Sequence, residues 1–554
     1  MKKHNILKVI LLSILVVVVC TWIFPQATYQ YQFQQGTRVQ LGIFDLTTYT
    51  VEGLFRYFSY VLLFTLATGM FYGVSYRIPA YRNLLDKIVE KFKGKENIFL
   101  AVIMTLIAVI VSVSGLSFGM LFVFPLIISI VLLMGYNKLI AASVTVGSTI
   151  VGIMGTTLGV ATTSYMNSIL GIEFNSEIIT KIILLVIGLV LLIYNVLLYA
   201  KKVKNNTDKV TELVPISADS SVASKSLVAE EKVEATKNSK TTITLKKNAK
   251  KENEELEKKD TKKTTSKTAT KKTSTKSVKN TKSAAKKSTK TKAYDLKSSS
   301  DTVIKVKSKK KAKTWPFILV FDLVVLILIV STFQWTEVAN VDWFTKALDA
   351  VNDFKIGGFP IFAKILGNIQ PFGQWSLGYE MPALIVLATG FLAFIYGLKF
   401  DQFLDAVVDG IKRSMKPAIY MFLVYFVLIV VAFNPFQLNI TKFFLDLTKG
   451  LNVITMTIIM AISSVLNVEN IYVAQGQLPY ITSVITDQSL YPLIGIICQS
   501  VYGLMMLIAP TSAILIGTLT YLDVPYTQWI KHIWKLFLQL LLVLVIIFFI
   551  LFLI

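Results

Sequence analysis

Two apolar stretches long enough to enter a membrane are broken in the same way, at 147–159 (GSTIVGIMGTTLG) and at 508–517 (IAPTSAILIG). Inside a bilayer every backbone N–H and C=O needs a partner. Glycine, proline and hydroxyl clusters therefore interrupt a span only where the backbone is buried in protein or lines a cavity. Paired interruptions in two halves of one chain point to a solute site built between discontinuous helices, as in secondary transporters. The expected fold is an all-α polytopic membrane protein.

Composition removes the soluble alternatives, because 54% of the 554 residues are apolar and 16% are charged. The net charge of +24 is concentrated rather than general: residues 246–313 hold 25 Lys against 7 Asp and Glu, an excess of 18. The only Cys are Cys20 and Cys498 and the only His are His4 and His532. That set is too sparse for zinc, haem or dithiol chemistry, and no trio of nucleophile, base and orienting group points to an enzyme.

The first apolar run, 6–24, can span and is followed by no small-residue cleavage site, so it reads as an uncleaved anchor helix. A polar, Gln-rich outer loop at 25–53 and a second span at 54–76 lead to the segment 77–95, whose Arg77, Arg82, Lys87, Lys91, Lys93 and Lys95 place it in the cytoplasm. Its apolar residues recur at helical spacing, as in a helix lying along the membrane surface. Two arms then flank Ser114-Gly115-Leu116-Ser117-Phe118; over 98–135 a re-entrant hairpin fits as well as two spans. A broken helix at 139–170 and a span at 177–198 complete a first half, 1–200. Residues 201–313, rich in Lys, Thr and Ser, read as a disordered cytoplasmic linker.

The second half, 314–554, repeats the plan with one more crossing: spans at 315–333 and 376–400, an amphipathic piece at 401–416 and a span at 418–433. An amphipathic piece at 438–451, a hairpin at 452–484, a broken helix at 489–521 and a final span at 533–554 follow. The sum is about nine transmembrane helices plus two re-entrant hairpins opening to opposite sides, the mark of inverted repeats. It describes a multi-pass plasma-membrane protein with N-terminus and linker cytoplasmic and C-terminus extracellular. One similarity runs the other way: Leu66-Ala67-Thr68-Gly69 and LLDKIVEKFK at 84–93 match Leu387-Ala388-Thr389-Gly390 and FLDAVVDGIK at 403–412 in parallel.

Candidate site residues follow from the breaks and tips. Gly147, Ser148, Thr149, Gly155, Thr156 and Thr157 can offer freed carbonyls and hydroxyls, and Pro510, Thr511 and Ser512 do so in the second half because Pro510 removes a donor. The alternative for the small residues is close helix packing. Ser114, Gly115 and Ser117 mark the first tip; Asn467, Glu469 and Gln475 mark the second, and Gln499 lies in the second broken helix. A carboxylate inside a membrane is costly, so Glu469 belongs to a solute or proton site, or to a wet turn. No Lys or Arg lies in either hairpin or either broken helix, so an anion would rely on helix N-termini, hydroxyls and bound sodium, while a cationic amino acid would want Glu469.

The stretch 508–536, IAPTSAILIGTLTYLDVPYTQWIKHIWKL, resembles the carboxy-terminal signature of the YfcC family. The resemblance extends through most of 36–198 and 376–554. It implies the architecture of the ion transporter superfamily, near its four-carbon dicarboxylate carriers: hairpin tips and unwound helices holding solute and coupling sodium, an elevator-type core moving against a scaffold, and a homodimer. Family members are labelled basic amino acid antiporters. Two departures bear on substrate: Met120-Leu121 stands where the family carries an acidic pair, and the second tip reads Asn467-Val468-Glu469-Asn470 in place of a Pro-Ser-Gly-Ser-Gly turn.

The function read from the sequence is alternating-access secondary transport of a small polar organic solute, an amino acid such as arginine or ornithine, or a dicarboxylate. It would be coupled to sodium or protons or run as exchange, with the solute and the lipid bilayer as partners and no other cofactor. The rival is a membrane tether binding nucleic acid or anionic lipid through 246–313.

Overall fold

The long apolar runs fold as helices, the one structure that satisfies backbone polar groups within a single span. A computed structural model describes residues 5–53, 55, 58–204, 312–375, 377–448 and 450–553. The chain divides into two units, Met1–Ile216 with Lys310–Ile554, and Ser217–Lys309. The second unit, and with it nearly all of the expected linker, lies outside the described residues.

Seven described helices are long and apolar enough to cross a membrane: Asn5–Ile23, Glu96–Ser114, Ile178–Val203, Trp315–Thr332, Phe400–Phe433, Gln488–Met506 and Tyr526–Leu553. An eighth is the bent pair Ser59–Arg77 and Pro79–Lys91. The difference from nine is local. Lys138–Met154 and Glu380–Ile395 form but are shorter than a full span, whereas Glu96–Ser114, expected as a hairpin arm, is long enough to be one.

The 85° bend between Ser59–Arg77 and Pro79–Lys91 has a covalent cause. Pro79 opens the second helix at its first position and forces Ile78 into extended backbone, φ −93° and ψ 119°. The amphipathic 79–91 helix thus turns aside from the span it follows. In the second half the corresponding piece does not turn: the expected 401–416 and 418–433 elements are one 34-residue helix, Phe400–Phe433, with Pro417 inside it. An internal proline forfeits one donor, and neighbouring helices allow a membrane helix to absorb that loss.

Ser59–Arg77 lies along Phe400–Phe433, and the two backbones touch. A Cβ at Gly73 would sit 2.2 Å from the Ala406 carbonyl oxygen, and one at Gly410 would sit 2.1 Å from that of Gly69. The crossing exists because those positions lack side chains. At its charged end Arg77 pairs with Asp409, and the Arg413 guanidinium stands 5.2 Å from the Tyr76 ring centre.

The expected polar loop at 25–53 is folded. Ala27–Gln30 and Gln32–Gln35 pair antiparallel around Tyr31, whose φ is 63°, and Ile43–Gly53 is helical. Ala27 N donates to the Pro435 carbonyl at 2.6 Å, and Tyr29 and Phe33 pack on Tyr480. Between Trp315–Thr332 and Glu380–Ile395 lie the short helices Trp335–Ala339, Trp343–Asp353 and Ile361–Leu366. The chain then returns inward, with Gly373 N and Trp375 N both donating to the Ser331 carbonyl at 2.9 and 3.2 Å.

Candidate functional site

Each half supplies a helix that stops and restarts. Lys138–Met154 ends at Gly155 (φ −106°, ψ 39°) and helix resumes at Ser164–Leu170. Tyr491–Met506 gives way to Leu507–Thr511, and Ser512 opens Ala513–Tyr521 by accepting from Leu515 N at 3.4 Å. At its other end the second broken helix is preceded by Asp487, whose carboxylate accepts from Ser489 Oγ at 2.6 Å and N at 3.0 Å. Those hydrogen bonds hold its pKa below the usual range.

Both breaks are clipped to a hairpin arm by a hydroxyl. In the first half Ser112 Oγ donates to the Gly155 carbonyl at 2.7 Å and lies 3.0 Å from Thr157 Oγ1, while Thr157 N and Gly159 N donate to the Ser112 carbonyl at 3.0 and 3.1 Å. In the second half Thr511 Oγ1 donates to the Val465 carbonyl at 2.7 Å. Freed backbone groups are thereby satisfied, as burial requires. The first tip meets the first break directly: a Cβ at Gly159 would lie 2.8 Å from Gly115 N, and Gly115 itself has φ 74°.

Both tips and both breaks converge on one cavity of about 380 Å³. The first tip contributes 115–119 and the second 468–472; the breaks contribute Ile153, Thr156 and Thr162, and Met506 with 512–514. Helices 470–484 and 513–521 both begin at the cavity wall, where their free N–H groups carry partial positive charge. Of the ionised side-chain types, the described residues of the wall include one carboxylate, Glu469, and no Lys or Arg. Tyr425 Oη donates to Glu469 Oε1 at 2.8 Å, and Tyr502 Oη donates to the adjoining Val468 carbonyl at 2.7 Å. Among the described residues no group of three or more His, Cys, Asp or Glu side chains comes together.

Gln499 joins the two halves. Its Nε2 donates to the Thr156 carbonyl at 3.0 Å, while its Oε1 is buried without a partner. An unpaired buried acceptor of this kind costs roughly 1–3 kcal/mol.

The sixteen candidate residues divide by position. Gly115, Ser117, Thr156, Glu469, Gln499 and Ser512 line the cavity. Ser114 lies just behind it, its Oγ donating to the Ile110 carbonyl and accepting from Leu116 N, and Gly155, Thr157 and Thr511 belong to the clips. Asn467 turns away into a buried amide network with Gln437 and the Ser463 carbonyl. Gln475 is exposed and Pro510 half-buried, both outside the wall. Gly147 closes a π-helical segment, Ser143–Gly147, and Ser148 and Thr149 open the α-helix that follows; all three are buried and none is in the wall. A Cβ at Gly147 would meet Leu192 at 2.9 Å, which fits close packing; Thr149 Oγ1 bonds its own helix at the Thr145 carbonyl, and Ser148 Oγ is buried without a partner.

The wall also contains residues the sequence did not single out, namely Tyr60, Thr332, Trp375, Gly378 and Tyr502. Only the aromatic-rich return at 371–379 gave a local hint. Trp375 is held in place by Nε1 donating to the Gln370 carbonyl at 2.7 Å.

A sequence model of the family described as CitMHS, citrate transporter, matches residues 2–441. The chain belongs to the citrate transporter family. It is therefore a multi-pass membrane protein and a secondary transporter of a small-molecule solute rather than an enzyme. The matched stretch includes the first hairpin and first break and ends before the second hairpin. No curated protein and no solved structure matches the chain.

Proposed function

We propose that this citrate transporter family chain carries a small carboxylate, a citrate-like polycarboxylate or a four-carbon dicarboxylate, together with a cation or proton. The observation that carries the reading is the convergence of two hairpin tips and two helix breaks on one cavity. Its volume of about 380 Å³ falls within the roughly 300–1,000 Å³ of small-molecule sites. A carboxylate bound there is held by the N-termini of the 470–484 and 513–521 helices and by the Ser117 and Ser512 hydroxyls. With no Lys or Arg in the wall, the Glu469 charge repels an anion unless a proton neutralises it or a cation bridges the carboxylates. Coupling follows from that charge balance.

A second reading rests on the same residue. Glu469 is the one charged group in the wall, so a cationic amino acid could pair with it directly, in keeping with the YfcC resemblance.

Uptake into proteoliposomes separates the two. Labelled citrate, malate, succinate, arginine and ornithine are compared with and without inward proton or sodium gradients, for wild type and Glu469→Gln. Gradient-driven carboxylate uptake that loses its gradient dependence in the variant is the expected result. Arginine or ornithine uptake that collapses in the variant would replace it with the second reading. Deleting 246–313 is expected to leave flux intact; a chain that shows no flux in either form and loses bound nucleic acid or anionic lipid on that deletion would favour the tether.

A further inference from the structure

Gln499 is 2% exposed, lies in the cavity wall, and has an orientation fixed by its neighbour. A carbonyl such as Thr156 O can only accept, so the amide must turn its Nε2 toward it, as found at 3.0 Å. The amide oxygen is then left facing elsewhere, and no protein donor reaches it. Because Gln499 lines the cavity, a solute seated there can supply the missing donor.

We propose that Gln499 determines specificity by accepting, at Oε1, a hydrogen bond from a hydroxyl of the carried carboxylate, an inference that rests on the carboxylate function proposed above. Glu469 only accepts when ionised, and the neighbouring Asn470 Oδ1 has the Cys498 thiol, a weak donor, at 3.8 Å. A carboxylate without a hydroxyl brings only further acceptors and leaves the Gln499 oxygen unpaired in a closed site. A hydroxycarboxylate brings the missing donor. A buried polar group that must be left unpaired is the means by which proteins reject an analogue lacking one hydroxyl.

The test uses two pairs of solutes that differ by that hydroxyl: citrate against propane-1,2,3-tricarboxylate, and malate against succinate. Binding is read as thermal stabilisation of the purified full chain. In wild type the hydroxylated member of each pair is expected to bind about tenfold or more tightly. Gln499→Met brings the ratio close to one by weakening the hydroxylated member alone.

Equal binding within each pair by wild type overturns the proposal, whatever the variants do, and leaves the carboxylate function standing. A preference that survives in folded Gln499→Met overturns it as well. Failure of all four solutes to bind overturns the carboxylate function and this inference together.

Discussion

The Tyr425 hydroxyl donates to Oε1 of Glu469 at 2.8 Å, joining the Phe400–Phe433 helix to the tip of the second hairpin. The bond orients the Glu469 carboxylate of the cavity wall and ties this tip to a helix that lies before it in the chain.

Tyr425→Phe keeps the ring, which packs on Phe58, and deletes that bond. Hydrogen bonds to charged groups contribute about 1.5–3 kcal/mol. Initial uptake rates at low solute should fall by roughly tenfold to a hundredfold, with unchanged protein abundance. A rate equal to wild type would remove Tyr425 from the site.

The two Leu-Ala-Thr-Gly segments should respond in opposite directions to the same change. Gly69 is packed against Ser414 and Gly410, whereas nothing lies within 4 Å of a Cβ at Gly390. Gly69→Ala overpacks a backbone contact and should cost about 1–3 kcal/mol. Gly390→Ala should be neutral or stabilise by up to about 1 kcal/mol, as alanine does in a helix interior. Thermal unfolding in detergent reads both, and equal effects would contradict the crossing.

Ser112→Ala removes the donor to the Gly155 carbonyl and the partner of Thr157 Oγ1. Leaving such groups unpaired in a buried place costs roughly 1–3 kcal/mol. Thr511→Val, its counterpart in the second half, strands the Val465 carbonyl. Both variants should unfold at lower temperature and carry solute more slowly. A variant that keeps wild-type stability would mean its clip is not holding the break.

Asp409→Asn, by contrast, should change stability by less than about 1 kcal/mol. The Arg77–Asp409 pair is short, but its side chains are 38% and 46% exposed, so solvent and salt screen it. A larger loss of thermal stability would show that the pair holds the helix crossing more firmly than its exposure implies.

The helices were legible because membrane burial leaves so few solutions: a run of apolar residues must be helical, and a glycine or proline cluster within one must be sheltered. The stretches read as breaks, 147–159 and 508–517, overlap the interruptions at 155–163 and 507–512. It could not separate Gly147, opposed to Leu192 at the end of a π-helical segment, from Gly155, where the helix stops, because glycine serves close packing and backbone release equally well. Pro417 deceived in the other direction, since one missing donor does not end a helix whose neighbours hold it. Tyr60, Thr332 and Trp375 were hidden for another reason. Each is a single residue in an ordinary apolar or aromatic context, brought to the cavity only by the packing of distant segments.

The bond between Gln499 and Thr156 spans 343 residues of sequence. At ordinary rates of synthesis, roughly 17 to 70 seconds separate the appearance of the first residue from that of the second. Throughout that interval the Thr156 carbonyl exists, while the amide that will cover it has yet to be made. The nascent chain needs water or the insertion machinery to stand in for its own later half. The feature that fits this chain to bind a solute is thus also what makes it slow and exposed to assemble, and its first half should be a client of membrane quality control until the last two helices arrive.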